Sequence, residues 1–337
     1  MIYPRFIQKG DTIGVPAPSD GAYCEEDVKR FNNAKAKVEQ LGFGVTLSKN
    51  LFHSERGRSA NAETRAKEVN GMFADDSVDA LICAAGGEFL TEIISYLDFE
   101  AMTNHPKWVS GFSDPTGILF PLTTKYDVAT MYGNNFKGFG AEEWHSSLDD
   151  NMELLQGNLL SQHSYDLYEN ERTEKVTGLE GYNLTDKVEW KTLDDKEVTM
   201  QGRIIGGCLD IIAELAGTKY DGIAQFNEKY KEDGILWYFD NCELSQEELI
   251  RTMWKLKELG YFKYTKGIIF GRNGVFQSFI YETMEDMLKD SVLVALNVPI
   301  VYDTDISHKG PTMTIINGAI ATVHCKDGKG NITFELK

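Results

Sequence analysis

Short apolar runs alternate with helix-like stretches through the first third of this chain. Residues 11–17, 79–85 and 108–112 are apolar, as buried strands are, and each run is followed by a proline, glycine or serine. Between the first two runs, residues 25–41 repeat apolar side chains at helical spacing. Strands that alternate with helices build a parallel sheet covered on both faces. The sequence therefore predicts an α/β fold with a Rossmann-like parallel sheet over residues 1–150.

The rest of the chain is less regular. Residues 151–180 lie in a polar, turn-rich stretch, and we interpret them as a linker. Residues 181–337 mix strand-like and helix-like segments and close with several apolar runs of strand length. We therefore expect a second, mixed α/β domain that is rich in β structure and barrel-like.

The overall composition argues against several classes of partner. The chain carries 34 Lys and Arg against 52 Asp and Glu, and this net charge of −18 disfavours binding to a nucleic-acid polymer or to an anionic membrane. Its five cysteines show no paired spacing, so we expect no disulfide framework, no zinc site, and a reducing, cytoplasmic location. No apolar run reaches the roughly 20 residues that a membrane span needs. We predict neither a metal nor a cofactor.

The end of the third apolar run has the form of a nucleophile turn. A strand-like segment ends at Gly111, Ser113 follows, and an apolar helix-like stretch begins after Thr116. A serine at such a sharp turn exposes its hydroxyl, and the backbone N–H groups that follow it face the same space. The carboxyl ends of parallel strands line one crevice. Ser19, the Gly86-Gly87 pair and Ser113 are therefore expected to share that crevice.

A nucleophilic serine needs a base, and the base needs an orienting carboxylate. Among six histidines, His308 lies in a loop between two predicted strands, where functional residues concentrate, although a surface histidine fits the same position. Asp240 directly follows the apolar strand 235–239 and is a candidate orienter. An Asp-Asn turn followed by a helix cap is the alternative interpretation. The residue pattern alone leaves both assignments open.

Several motifs occur along the chain in a fixed order; they are the opening segment Lys9–Ser19, Gly86-Gly87, the turn Gly111–Asp114, Gly206-Gly207, Phe270–Arg272, and the closing His308, Pro311 and Gly318. In order and spacing they resemble the motifs of the LD-carboxypeptidase family of serine peptidases, which includes the microcin C self-immunity carboxypeptidases. The resemblance covers nearly the whole chain. It implies a serine carboxypeptidase or amidase, a small peptide or aminoacyl-nucleotide substrate, and a homodimer.

The family uses a Ser-Glu-His triad, and the resemblance assigns Ser113 as the nucleophile and His308 as the general base. At the glutamate position this chain carries Asp240, which is one methylene shorter, and Glu243 is the alternative carboxylate. The family's oxyanion hole, built from backbone N–H groups, falls here on Gly87 and Asp114. The orienting carboxylate is thus the point at which this chain departs from the family.

The resemblance also implies substrate-binding positions. Gly86 and Glu243 are expected beside the substrate, and Cys208 stands where the family commonly has an asparagine. Trp190 lies in the region where the microcin branch stacks a tryptophan on the nucleotide part of its substrate, although an aromatic residue that packs a loop onto the core fits equally well. Trp190 and the Gly217–Tyr220 segment favour an aminoacyl- or peptidyl-nucleotide substrate over the terminal L,D-peptide bond of murein tetrapeptides.

Two other classes of protein compete with this interpretation. A dinucleotide-binding oxidoreductase would share the α/β start, but Pro16-Ala17-Pro18 rather than G-x-G-x-x-G follows the first strand. A ligand-binding homologue without catalysis stays open, because Asp240 replaces the family's glutamate.

Overall fold

The computed structural model describes residues 1–172, 174–194 and 196–337. The α-helices in these ranges are α1 (Glu25–Gln40), α2 (Ala62–Ala74), α3 (Phe99–Asn104), α4 (Thr116–Thr124), α5 (Ser146–Leu155), α6 (Leu209–Leu215), α7 (Ile223–Lys229), α8 (Gln246–Glu258) and α9 (Met284–Asp290). Short 3-10 helices occupy Leu90–Tyr96, Phe136–Gly140 and Val294–Leu296. None of the helices in these ranges is long and apolar enough to cross a bilayer.

In the described ranges the strands form two large sheets and one small two-stranded sheet. In chain order they are β1 (Thr12–Val15), β2 (Gly44–Leu47), β3 (Ala80–Ile82), β4 (Trp108–Gly111), β5 (Thr130–Tyr132), β6 (Gln162–His163), β7 (Leu167–Tyr168), β8 (Asp186–Lys187), β9 (Lys191–Thr192), β10 (Val198–Cys208), β11 (Ile235–Asp240), β12 (Thr265–Gly271), β13 (Ile300–Thr304), β14 (Ile315–Asn317), β15 (Ile320–Lys326) and β16 (Lys329–Glu335). The two-stranded sheet pairs β7 with β8 in the antiparallel sense.

The N-terminal sheet has the strand order β14-β5-β4-β3-β1-β2. The strands β1 to β5 run parallel, whereas β14 joins β5 in the antiparallel sense. The order 2-1-3-4-5 is that of one common doubly wound fold, whose ligands bind at the carboxyl ends of the strands. The prediction of an α/β fold with a parallel N-terminal sheet is confirmed.

The C-terminal sheet has the order β6-β16-β15-β10-β11-β12-β13-β9. Its central strands β10 to β13 are parallel, and antiparallel strands flank them on both sides. The predicted β-rich, mixed character of this part is confirmed, and β6 and β9 are its edge strands. The molecule therefore has two sets of parallel strand ends that can carry functional side chains.

The predicted linker over 151–180 needs correction. α5 extends to Leu155, and β6 pairs with β16 as an edge strand of the C-terminal sheet. In the opposite direction, β14 leaves the C-terminal part of the chain and pairs with β5. Strands of two or three residues show no periodicity, so only tertiary pairing reveals them. The predicted limits at 150 and 180 therefore do not coincide with the ends of elements.

The two parallel sheets approach each other beside α4, the helix that follows β4. The hydroxyl of Thr116 in α4 accepts a hydrogen bond of 3.0 Å from the N–H of Cys208, which ends β10. Gly207 lies so close to Thr116 that a Cβ would come within 2.6 Å of its Cγ2, and its φ of +149° also favours glycine. This contact brings the carboxyl ends of β4 and β10 to one place.

Candidate active site

Ser113 occupies a strained turn between β4 and α4. Its φ of +71° lies in the left-handed region, which residues other than glycine seldom adopt. Asn135 holds the preceding residue with two hydrogen bonds: the Phe112 N–H donates to Oδ1 at 2.9 Å, and Nδ2 donates to the Phe112 carbonyl at 3.0 Å. The Ser113 N–H donates to the hydroxyl oxygen of Tyr132 at 3.3 Å. These contacts stabilise the turn that presents the Ser113 hydroxyl.

Three side chains from distant parts of the chain form one hydrogen-bonded row. His308 Nε2 lies 2.9 Å from Ser113 Oγ, and His308 Nδ1 lies 2.9 Å from Asp240 Oδ1. Asp240 ends β11 and is fully buried, whereas His308 lies in the loop between β13 and β14 with 7 % of its side chain exposed. The structure thus brings together the serine, histidine and aspartate that the sequence analysis singled out.

The Asp240 carboxylate accepts three hydrogen bonds. The imidazole Nδ1 and the backbone N–H of His308 both reach Oδ1, the latter at 3.1 Å, and the Tyr132 hydroxyl reaches Oδ2 at 2.7 Å. An ionised carboxylate only accepts, so Nδ1 carries a proton and Nε2 of the neutral ring is left as an acceptor. Glu243 has an exposed side chain, and its backbone N–H donates to Asp210 at 3.0 Å. Of the two candidate carboxylates, the structure places Asp240 on the imidazole.

Asp240 also sets the charge preference of His308. Burial lowers the pKa of the imidazole, but the charge of Asp240 and its hydrogen bond, together with Cys242, outweigh burial and raise the pKa above its ordinary value. The raised pKa means that the surroundings stabilise the imidazolium, the form that His308 adopts when it takes up a proton. The neutral histidine that can act as a base therefore becomes more abundant as the pH rises.

Two backbone N–H groups beside Ser113, those of Gly87 and Asp114, donate to no acceptor in the part of the chain that the structure describes. Gly86 packs directly on the serine, because a Cβ there would lie 3.1 Å from Ser113 Cβ and 3.5 Å from its Oγ. Gly87 has a φ of +151°, and a Cβ there would overlap the hydroxyl of Ser19. Unpaired donors next to a serine hydroxyl have the placement that an oxyanion developing during acyl transfer would need.

The side chain of Asp114 connects the turns that carry these donors. It is fully buried, and its Oδ2 accepts a short hydrogen bond from the Ser19 hydroxyl and one of 2.9 Å from the Leu90 N–H. Arg65 joins the same two turns by donating to one carbonyl of each, at 2.9 and 3.0 Å. Burial raises the pKa of Asp114 to about 6. The sequence analysis missed Arg65, because no motif marks a helix arginine that supports two distant turns.

Two predicted substrate contacts are not part of the site. Trp190 is only 1 % exposed, its Nε1 donates to Asp305 at 2.8 Å, and Gly330 packs against its ring. A ring without an accessible face cannot stack on a nucleobase, so the prediction is corrected: Trp190 packs a loop onto the core. Cys208 ends β10, but its thiol is buried and faces the Asp210 carboxylate at 3.4 Å.

A cavity of about 1030 Å³ opens beside His308. Phe112 and Ser307 line it near the row of three side chains, and Trp144 and Tyr182 add aromatic walls. Cationic side chains line it as well; they are Arg30, Lys137, Arg172 and Lys175. The sequence analysis missed these residues, because they come from α1, from the segment after β5 and from the presumed linker, and none of them belongs to a motif.

Fold and site together define a class of protein. A serine on a strained strand-to-helix turn, an imidazole between its hydroxyl and a buried carboxylate, and unpaired N–H groups beside it form, on an α/β scaffold, the arrangement that acyl transfer by a serine requires.

Comparison with known proteins then identifies the family. The model of the LD-carboxypeptidase N-terminal domain matches residues 13–133, and that of the LD-carboxypeptidase C-terminal domain matches residues 201–323. The chain therefore belongs to the LD-carboxypeptidase family of peptidases, as its motifs suggested.

Similar proteins in this family differ in the substrates that their names indicate. A Vibrio cholerae protein named as a carboxypeptidase is 29 % identical over 100 % of this chain and 98 % of its own length. A Bacillus subtilis protein named as a murein peptide carboxypeptidase is 25 % identical (95 % and 91 % covered), and the Escherichia coli microcin C7 self-immunity protein MccF is 24 % identical (91 % and 88 % covered). A solved structure of MccF with aspartyl sulfamoyl adenosine superposes over 100 % of both chains, with a TM-score of 0.82 and 20 % identity.

Proposed function

We propose that this protein is a serine-type carboxypeptidase or amidase that hydrolyses the amide bond of an aminoacyl- or peptidyl-nucleotide. The observation that carries the proposal is the imidazole of His308, which lies 2.9 Å from both Ser113 Oγ and Asp240 Oδ1. In this geometry one ring can take the proton of the nucleophile while the carboxylate holds its tautomer.

The proposed reaction proceeds in two halves. Ser113 Oγ attacks the amide carbonyl carbon while His308 Nε2 takes the hydroxyl proton, and the carbonyl oxygen becomes an oxyanion that accepts from the N–H groups of Gly87 and Asp114. His308 then gives the proton to the leaving nitrogen, and the C–N bond breaks to leave an acyl-serine. In the second half, a water molecule attacks the acyl carbon as His308 takes one of its protons. That proton returns to Ser113 Oγ when the acid product leaves.

The size and lining of the cavity support a nucleotide-containing substrate. A volume of about 1030 Å³ lies at the upper end of the range for small-molecule sites, and the aromatic rings of Trp144 and Tyr182 in its wall are suited to a nucleobase. The similarity to MccF supports the same substrate class. The Bacillus subtilis relative supports a second candidate, the terminal L,D-peptide bond of a murein tetrapeptide.

A direct test compares the two substrates on the wild-type protein. Purified protein is incubated with aspartyl sulfamoyl adenosine and, separately, with a murein tetrapeptide. The products are separated by liquid chromatography and identified by mass spectrometry. We expect hydrolysis of the nucleotide substrate at the higher kcat/KM. Hydrolysis of the tetrapeptide alone would replace the first substrate by the second. Binding without hydrolysis of either would indicate a ligand-binding homologue without catalysis.

Trp144 is the aromatic residue that we expect to contact the base. Trp144→Ala should raise KM for aspartyl sulfamoyl adenosine by about tenfold, because stacking on one base contributes roughly 1–3 kcal/mol. Trp144→Phe should retain most of the affinity. Trp254, which is 56 % exposed on α8, provides the matched control, and Trp254→Ala should leave KM unchanged. An unchanged KM in Trp144→Ala would remove Trp144 from the site.

Ser19 and Asp114 are expected to act as positioning residues for the oxyanion donors. Ser19→Ala and Asp114→Asn should each lower kcat by about tenfold or more with little change in KM. Donors that are slightly displaced would stabilise the oxyanion of the transition state less well, whereas binding of the neutral carbonyl in the ground state depends little on them. The matched control is Ser48→Ala, since the Ser48 hydroxyl also donates to a carboxylate, that of Glu68, at a turn of the same sheet. Equal loss of kcat in the control would mean that the effect is general destabilisation.

A cytoplasmic location and a homodimer belong to the same proposal. All five cysteines are free, which supports a reducing compartment. The dimer is supported by the family resemblance alone.

A further inference from the structure

Four cationic side chains gather in the wall of the active-site cavity, although the protein as a whole carries a net charge of −18. They are contributed by three separate segments: Arg30 by α1, Lys137 by the 3-10 helix after β5, and Arg172 and Lys175 by the segment between β7 and β8. Convergence of like charges is unfavourable unless something of opposite charge compensates it.

Arg30 is buried and held rigidly. It is 6 % exposed, its Nε donates to Lys137 O, and its Nη1 donates to Gly178 O and Glu180 O, each at 2.9 Å. The remaining nitrogen, Nη2, has no acceptor among the described residues and is not one of the solvent-excluded polar atoms. A guanidinium that is fixed by carbonyls on two nitrogens and free on the third is pre-organised to donate to an anion.

Lys175 lines the cavity without an ion pair or hydrogen bond to any described side chain. Lys175 as a whole residue is exposed to solvent, but desolvation of its amine at the cavity wall lowers the pKa to about 8; the neighbouring charges of Arg30, Lys137 and Arg172 contribute to the shift, while Glu169 opposes it. Arg172 likewise has no partner in the described ranges. The amine and the free nitrogen of Arg30 therefore remain available to a ligand.

Three acidic residues of the cavity wall already have partners within the protein. Asp27 forms an ion pair of 2.5 Å with Lys137, and Glu180 accepts from the Thr177 and Gly178 N–H groups at 2.6 and 3.0 Å. Glu169 accepts from the Asn183 N–H at 3.0 Å. Further carboxylates also line the cavity, so the cavity as a whole is not positive; these are Glu26, Glu142, Glu143 and Glu174. What distinguishes Arg30 and Lys175 is therefore their donor groups without a partner among the described residues, and not the net charge of the wall.

We infer that Arg30 and Lys175, with Arg172 beside them, form an anion subsite that binds a phosphate- or carboxylate-type group of the substrate in the same cavity as Ser113 and His308. The inference rests on the proposed function for its catalytic consequence, since an anionic group held there would orient the rest of the substrate toward the triad. An uncharged substrate would make no use of this subsite. The charge of the substrate, in addition to its aromatic base, would then decide specificity.

The binding test uses simple probes on the full-length protein. AMP, adenosine, inorganic phosphate and glutarate are titrated by isothermal calorimetry into the wild type, Lys175→Met, and the control Lys29→Met, an exposed lysine of α1 that does not line the cavity. We expect Lys175→Met to weaken the binding of AMP about tenfold, because one charge-assisted contact is lost. The binding of adenosine to this variant, and the binding of AMP to the control variant, should be unchanged. Phosphate and glutarate distinguish a phosphate-selective subsite from one that accepts carboxylates.

Conservative substitutions and a pH series separate an effect of charge from an effect on the structure. Lys175→Arg should retain the AMP affinity that Lys175→Met loses. Arg30→Lys should weaken the binding of AMP, and its unfolding temperature shows whether the loss of hydrogen bonds to the backbone carbonyls destabilises the fold. In the wild type, AMP affinity should fall as the pH rises through about 8, the pKa of Lys175, because the amine loses its positive charge. The groups that face Lys175 are Arg30, Lys137, Arg172 and Glu169, and Lys175→Met should weaken this pH dependence.

The outcomes distinguish the subsite from the enzymatic proposal. If Lys175→Met binds AMP as tightly as the wild type does, the subsite is refuted, whatever the activity. If the wild type binds AMP through Lys175 but hydrolyses no amide, the subsite stands and the proposed function fails. When both are correct, Lys175→Met should lose kcat/KM toward aspartyl sulfamoyl adenosine and retain it toward an aminoacyl p-nitroanilide that carries no anionic group.

Discussion

Ser113→Ala is expected to abolish amide hydrolysis, with kcat lowered by about a millionfold, the scale seen when a triad serine is removed from a serine protease. The hydroxyl is the proposed nucleophile, and no other hydroxyl lies within hydrogen-bond distance of His308 Nε2 among the described residues. The measurement is hydrolysis of aspartyl sulfamoyl adenosine under single-turnover conditions, which detects slow residual cleavage. Substrate binding, measured by calorimetry, should be retained.

Backbone strain needs its own control at this position. Ser113 has a φ of +71°, which costs an alanine roughly 1 kcal/mol or more but not a glycine. Ser113→Gly should therefore be as inactive as Ser113→Ala while unfolding at an equal or higher temperature. Residual activity within tenfold of the wild type in either variant would exclude Ser113 as the nucleophile.

Asp240→Asn is expected to lower kcat by about ten-thousandfold, as the corresponding change does in a Ser-His-Asp protease. The neutral amide cannot stabilise the imidazolium, and its NH2 group can force the wrong tautomer on His308. The pH profile should change as well. Because the Asp240 charge is what raises the pKa of His308 against the effect of burial, its removal should move the ascending limb of kcat/KM to lower pH while the plateau falls.

Two neighbouring carboxylate variants sharpen this test. Asp240→Glu keeps the charge but adds a methylene in a fully buried position where three hydrogen bonds are already satisfied, so we expect a loss of about tenfold to a hundredfold. Glu243→Gln should leave kcat and the pH profile unchanged, because that side chain is exposed. A Glu243→Gln variant that is as impaired as Asp240→Asn would show that the orienting carboxylate has been assigned to the wrong residue.

Much of the fold was predictable because its signals are local. The helix α1 follows a 3.6-residue repeat of apolar side chains, and α8 begins at the Ser245–Glu248 capping box, which the structure contains as expected from the sequence. Strands β1, β3 and β4 are apolar runs that end at turn residues. By contrast, β6, β9 and β14 are two or three residues long and exist only because a distant strand offers them a partner.

The candidate site divides in the same way. Ser113, Asp240 and His308 each stand at or just after the end of a strand or in a loop between strands, so local pattern makes them candidates and the family's motif order assigns their roles. Trp190 was assigned to the substrate on position alone, and its burial against Gly330 depends on how a loop folds back on the C-terminal sheet. Arg65, Arg30 and Lys175 carry no motif, so nothing in their neighbourhood in the sequence marks them.

The sequence by itself determined the α/β architecture, the sharp strand-to-helix turn at Ser113 and the family to which the chain belongs, because strand ends, turn residues and motif order are properties of neighbouring residues. Only the tertiary structure decided that Asp240 rather than Glu243 meets the imidazole, that Trp190 is buried, and that cations from three segments converge on one cavity. Those outcomes depend on contacts between residues that lie tens to hundreds of positions apart, and the periodicity of neighbouring residues does not predict such contacts.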